Sequence, residues 1–99
     1  MDRRSARRIA VTEPVIVAWA RGNVVGELRD LSERGMFIAL ANAGDVTGTR
    51  LVVHIGPAYP RRAVEVTGVV RWVDHRGMGV ELAAVGAHEA SALEMLMRV

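Results

Sequence analysis

Arg29-Asp30-Leu31-Ser32-Glu33-Arg34-Gly35-Met36-Phe37 is the stretch where an alternating run breaks into polar residues and resumes as an apolar run. Upstream, Val24, Gly26 and Leu28 alternate with Val25, Glu27 and Arg29. Downstream, Met36, Ile38 and Leu40 alternate with Phe37 and Ala39. A period of two on both sides of a Ser/Glu/Arg/Gly cluster predicts strand, turn, strand. The expected strands run from Val24 to about Arg29 and from Met36 to Ala41, with the turn at Asp30 to Gly35.

The same alphabet continues in both directions. From Pro14, residues Val15, Val17 and Trp19 alternate with Ile16, Ala18 and Ala20, and Arg21-Gly22-Asn23 reads as a hairpin turn. Pro14 is expected at the strand start, where a missing N–H is tolerated. Asn42-Ala43-Gly44-Asp45 ends the run after Phe37, Gly48 to Ile55 is a fourth strand, and Gly56-Pro57-Ala58-Tyr59-Pro60 is a loop. Ala63 to Asp74 is the longest candidate, with Gly68 expected to mark a bend or bulge. After His75-Arg76-Gly77, Met78 to Leu82 makes a sixth strand. From about Ala87 the period becomes 3.6, with Ala90, Leu93, Leu96 and Met97 on one stripe and Gly86 near the helix start. Six short strands followed by one helix predict an all-β fold with one terminal helix, a small antiparallel barrel closed or plugged by that helix.

Composition narrows the class. Ninety-nine residues make one domain with one core. Apolar residues are 51% of the chain and aromatics only 4%, so Val, Ala, Leu, Ile and Met must build that core. Without cysteine there are no disulfides, thiolate metal sites or thiol nucleophile, and a reducing cytoplasm is the expected home. No signal peptide or membrane span is expected. His54, His75 and His88 lack ligand spacing, so no metal site is expected. Ser5, Ser32 and Ser91 sit in no nucleophile motif, so no catalytic residue is assigned and the chain is read as a non-enzyme. Trp19 and Trp72 are expected to fill the barrel, Trp72 alternatively to line a ligand surface. Met95 and Met97 read as packing or interface residues.

Charge is unevenly distributed. Residues 1–8 hold four of the thirteen arginines and one acid, whereas the remainder holds nine arginines against ten acids. Positive charge concentrated in an arm rather than spread over a face argues against a general nucleic-acid binder. Every basic residue is arginine, a planar fork suited to bidentate and stacked contacts, although genome base composition also produces such a bias.

The turn and the arm each admit two readings. Asp30 and Ser32 can satisfy their own backbone, with Gly35 left-handed. Alternatively, Asp30 as an acceptor-only carboxylate can receive the N1–H and N2 amino donors of guanine, Ser32 can donate to a phosphate or base, and Gly35 can admit a close approach. The arm is a solvated tail or a clamp. Arg4 and Arg8 are four apart, as are Arg3 and Arg7, and Arg4 with Arg8 is preferred because Arg8 directly precedes the apolar Ile9-Ala10-Val11. An arginine bidentate to guanine is worth about 1–3 kcal/mol. Ordering eight arm residues costs on the order of 10 kcal/mol. Only a ligand offering several such contacts at once, such as two guanines and two phosphates, can offset that.

The R-x-x-x-R of Arg4 to Arg8, followed by the D-x-S-x-x-G of Asp30 to Gly35, resembles the PilZ domain, a family of bacterial receptors for cyclic di-GMP. Gly48-Thr49, Gly68-Val69-Val70-Arg71-Trp72-Val73 and Gly77-Met78-Gly79-Val80-Glu81-Leu82 are similar to later parts of that domain, in the family's order. The resemblance implies a six-stranded antiparallel β-barrel plus a C-terminal α-helix. Residues 1–9 would be a flexible arginine-rich arm and residues 10–99 one barrel domain, its helix starting at about 87. Cyclic di-GMP is the implied ligand, without a cofactor. Arg4 and Arg8 would hold guanine and phosphate, Asp30 and Ser32 a guanine and its surroundings, and Gly35 would shape the turn. Arg3 and Arg7 would be additional ligand contacts, and Arg3 could cap a second stacked nucleotide. The implied partner is an effector protein that reads the closed arm, with the chain a monomer or weak homodimer. The alternative is a degenerate member that acts through protein contacts alone, although both motifs are complete here.

Overall fold

Alternate side chains of six strands turn inward onto one aliphatic core, and the sheet closes on itself. The computed structural model describes residues 8–20, 22–41, 43–55, 64–83 and 86–97. In chain order the elements are β1 (Ile9–Trp19), β2 (Gly22–Leu31), β3 (Gly35–Ala39), β4 (Arg50–Ile55), β5 (Val64–Asp74), β6 (Gly77–Leu82) and α1 (Ala87–Met97). The strands form a closed barrel ordered β1-β2-β3-β6-β5-β4, all neighbours antiparallel. The expected six-stranded barrel with a terminal helix is the fold observed, and closure leaves no strand edge among these six unpaired.

The core contains Val15, Val17, Leu28, Leu31, Met36, Ile38, Leu51, Val53, Ile55, Val66, Val70, Met78 and Val80. α1 packs against β5 and β1 and inserts Leu93 into this cluster. Ala90, expected on the same stripe, is exposed, and the Leu96 and Met97 side chains lie outside the described residues. So a single leucine anchors the described part of the helix, and burying it contributes about 1.5–3 kcal/mol.

Several boundaries differ from those the pattern predicts. β1 begins at Ile9, not Pro14. The proline is tolerated mid-strand because pairing with β4 starts only at Val15, and an irregularity between Ala10 and Glu13 interrupts the β2 ladder just before it. β3 ends at Ala39 rather than Ala41. Gly48 lies in a turn with φ of 88° before β4 opens at Arg50. The loop expected at Gly56 to Pro60 lies outside the described residues.

Two further differences set up the site. The polar turn is shorter than expected, because β2 continues through Asp30 to Leu31, and a single extra residue, Arg29, bulges between Leu28 and Asp30 opposite β3. In β5 the irregularity is not at Gly68 but between Val70 and Trp72, where Arg71 is the extra residue. A bulge reverses the inward-outward phase of everything after it. Leu28 and Leu31, three apart, therefore both face the core, and Asp30 faces out. Val70 is likewise buried while Trp72 is 42% exposed.

Gly35 does not adopt the left-handed conformation. It is a close-approach glycine: a Cβ there would lie 2.5 Å from the Val80 carbonyl oxygen of the paired strand β6. Gly77, after the His75-Arg76 hairpin loop, combines a φ of 155° with a Cβ position that overlaps the Ile38 carbonyl oxygen. The loop itself is held by Asp74, whose carboxylate accepts the backbone N–H of Arg76 at 2.8 Å and of Gly77 at 3.3 Å, and also the Arg76 guanidinium at 2.8 Å. The Arg76 side chain, and then its backbone N–H, hold the Asp74 carboxyl below its usual pKa.

These contacts generate two expectations. In urea or thermal denaturation, Gly35→Ala is destabilised by about 1–3 kcal/mol through overpacking, a fall in melting temperature on the order of 10 °C. Gly77→Ala loses more than Gly22→Ala, because both positions have positive φ but only Gly77 also meets a neighbouring strand. A carboxylate with a depressed native pKa stabilises the fold above its unfolded pKa and loses that contribution as pH falls through the native one. The melting temperature of Asp74→Ala should therefore lie below wild type at pH 7, and the difference should close below about pH 4.

Candidate functional site

The two bulges put a row of residues on the outer surface of the barrel. Cα pairing runs Ala10 to Asp30, Asp30 to Phe37, Phe37 to Gly79 and Gly79 to Trp72, across β1, β2, β3, β6 and β5. Gly79 lets the row hold an indole, since a Cβ there would overlap the Trp72 ring. Trp72 lies flat enough to stack on Phe37, with centroids 5.4 Å apart and planes at 16°. The Arg76 guanidinium stands 5.4 Å from the Phe37 centroid. Aromatic pairing contributes about 0.5–1.5 kcal/mol beyond burial. Trp72 thus does not fill the barrel. Trp19, by contrast, is partly buried against the core.

Beside this row lies a cleft of about 290 Å³. Its charged lining is Arg8, Arg34, Arg71 and Glu81; Trp72 supplies an aromatic wall, and Ser32, Gly35, Gly79 and Val80 complete it. Arg8 reaches across from the root of β1 and bonds Asp30 through Nη1 and Oδ1, joining two residues 22 positions apart. Arg71 donates from Nε to Glu81 Oε1 across β5 and β6. Among the described residues, Arg34 makes no ion pair with its guanidinium. Three planar cations, an exposed indole and two carboxylates can together stack a heteroaromatic ring, read its donors and hold anionic oxygens.

The turn residues divide their labour. Ser32 is buried, 3% exposed, and its Oγ accepts the N–H groups of Arg34 and Gly35 at 3.2 Å while donating to the Gly35 carbonyl at 3.3 Å. Its backbone N–H donates to the same carbonyl at 2.9 Å. Ser32 therefore follows the self-satisfied reading of the turn, whereas Asp30 bonds no turn backbone and is aimed at the arm. Arg3, Arg4 and Arg7 lie outside the described residues.

Of the expected site residues, Arg8, Ser32 and Gly35 line one cleft, and Asp30 adjoins it through Arg8. Pattern reading assigned no role to Arg34, Arg71, Glu81 or Phe37. Of these only Arg71 has a signal in the chain: Val70-x-x-Val73, like Leu28-x-x-Leu31, places aliphatic residues three apart within a period-two strand, the gap opening on an arginine. That spacing is the mark of a phase slip. Among the described residues no group of His, Asp or Glu could hold a metal ion. His54 instead meets Glu65 across β4 and β5 at 3.3 Å.

Among curated proteins none matches the chain. Solved structures do. The Bacillus subtilis inhibitor of motility MotI/DgrA superposes with a TM-score of 0.77 at 22% identity, covering 98% of this chain and 50% of that one, so the chain spans half its length. The PilZ domain of YcgR from Escherichia coli, solved with c-di-GMP, gives a TM-score of 0.79 at 14% identity over 97% of this chain and 89% of that one. The PilZ domain of CeSA from a cellulose-synthesizing bacterium gives 0.74 at 19% identity, over 92% and 94% respectively. At such identities the likeness carries the fold. A family model described as the PilZ domain matches residues 2–98, and with that match over nearly its whole length the chain belongs to the PilZ domain family.

Proposed function

We propose that this domain is a cyclic di-GMP receptor that binds the nucleotide on the outer face of β2, β3, β6 and β5. The observation that carries the reading is the Arg8–Asp30 ion pair at a cleft lined by Arg34, Arg71 and Trp72, which brings the last residue of the first motif to the first residue of the second. The PilZ domain of YcgR, of the same fold, was solved with that ligand.

Each part has a chemical task. Asp30 accepts the two donors of a guanine Watson–Crick edge, and the exposed indole of Trp72 gives a base a stacking partner. Arg8, with Arg4 from the arm, forms the clamp on guanine and phosphate, and Arg3 and Arg7 add contacts as the arm closes. Ser32 holds the turn that presents Arg34, and Gly35 keeps β3 close to β6. The Arg8–Asp30 pair is no obstacle, because an exposed ion pair is worth only about 0–1 kcal/mol. A ligand making several charge-assisted bonds displaces or shares it at small cost.

In this reading the domain is a bacterial, cytoplasmic adaptor rather than an enzyme, and an effector protein reads the closed arm. Among the described residues no helix is long and apolar enough to cross a membrane.

Calorimetric titration with cyclic di-GMP, beside a single-stranded oligonucleotide, tests the reading. Wild type binds the dinucleotide and not the oligonucleotide, with affinity falling as salt rises. It also returns the ligand count, two per chain if Arg3 caps a second stacked nucleotide. Absence of binding leaves the protein-contact module. Arg8→Ala and Asp30→Ala should each weaken binding by about 100-fold or more, the equivalent of roughly 2.7 kcal/mol. Neither should shift the melting temperature by more than a few degrees; near-normal titrations of both would reject the site. Gly79→Ala, which drives the indole off its seat, should change Trp72 emission and weaken binding by about tenfold, matching the loss of one base-stacking contact.

A further inference from the structure

One feature of the cleft runs against its charge. A site for a doubly anionic ligand contains, besides three arginines, the carboxylate of Glu81, which repels like charge. Resting on the receptor reading, we propose that Glu81 is a positioning residue that holds the Arg71 guanidinium by its Nε edge, leaving the two Nη groups as a further fork for the ligand's phosphate or guanine.

The local geometry supports this assignment. Arg71 is the extra residue of the β5 bulge, so the ladder with β6 does not constrain it as it does its neighbours. Its side chain is 59% exposed, and a long exposed side chain without a partner samples many rotamers. The Glu81 contact biases that sampling towards one orientation. It engages Nε alone, and a guanidinium is a rigid planar fork of five N–H donors. With Nε–H bonded by Glu81, the outer edge formed by the Nη groups remains available for bidentate contact with a phosphate or with guanine O6 and N7.

The Glu81 carboxylate has room to do this because its cross-strand neighbour in β3 is Gly35, which has no side chain. Arg34 offers the contrast on the same cleft. Its guanidinium has no carboxylate partner among the described residues, so it contributes charge without fixed direction.

The test is a set of cyclic di-GMP titrations on wild type, Arg71→Ala, Glu81→Ala, Glu81→Gln and the Arg71→Ala/Glu81→Ala double variant, with melting temperatures alongside. Arg71→Ala is expected to weaken binding about tenfold and Glu81→Ala about three- to tenfold, with little change in melting temperature. In the Arg71→Ala background, loss of Glu81 weakens nothing further. Glu81→Gln retains an acceptor for Nε–H without the charge and binds at least as well as wild type. Tighter binding by Glu81→Ala than by wild type would show that Glu81 acts only as a repulsive charge and overturn the proposal. An undiminished Glu81→Ala effect without Arg71 would overturn it too.

If wild type fails to bind, the receptor reading falls. The positioning contact is then judged separately by the Arg71 side-chain Nε–H resonance in a 15N-labelled sample. A dispersed, slowly exchanging signal that is lost in Glu81→Ala upholds the contact; identical signals in the two proteins reject it.

Discussion

Phase reversal by two single-residue bulges is the constraint on which this surface depends. A β-strand alternates strictly, so if Arg29 paired regularly instead of bulging, the side chain of Asp30 would follow Leu28 into the core, and if Arg71 did, the indole of Trp72 would follow Val70. Burying an aspartate beside leucines costs several kcal/mol, and an indole inside this narrow barrel would displace aliphatic packing. One inserted residue per strand turns both outward into a single row. The same insertions return Leu31 and Val73 towards the core, so the change costs the barrel little hydrophobic burial.

The energetics of the face differ from those of the interior. Inside, aliphatic side chains at close to zero exposure contribute the stability. Outside, ion pairs such as Arg8–Asp30 and Arg71–Glu81 are half exposed and individually weak. Weakness suits the receptor role proposed above, since contacts of this kind orient arginines without locking them. On that reading an exchange of partners leaves the barrel beneath intact, because these ion pairs include no core residue. Glycines at 35 and 79 extend the same logic, each removing a side chain so that a neighbouring strand or an aromatic ring can take its place.

Much of this is legible in the sequence because alternation is a local signal. The strands from Val24, Met36, Gly48, Ala63 and Met78 onward, and the helix near Ala87, emerge from periodicity and turn residues within a few positions of where they lie. The start of β1 does not, because Pro14 imitates a boundary while its neighbours pair past it. That Arg8 and Asp30 serve one site is implied by the family resemblance of their two motifs, but their meeting depends on the antiparallel pairing of Ala10 with Asp30, which no local pattern reveals. The roles of Arg71 and Glu81 follow from cross-strand register and from a bulge, and the choice between the two readings of Trp72, barrel filling or ligand surface, is settled by that same bulge. Asp30 is read as a turn residue because polar residues adjoin it, whereas tertiary pairing extends the strand through it.

The central claim is that the outward row from Asp30 through Phe37 and Gly79 to Trp72 is where a guanine nucleotide lies. Chemical-shift mapping of cyclic di-GMP on 15N-labelled protein tests it most directly. The account predicts that the amides of Asp30, Phe37 and Gly79, the Trp72 indole N–H and the Arg8 side chain move together with one saturation curve. Perturbations centred instead on the exposed pair Ile16 and Val25, further along β1 and β2, with the Trp72 indole unmoved, would contradict it.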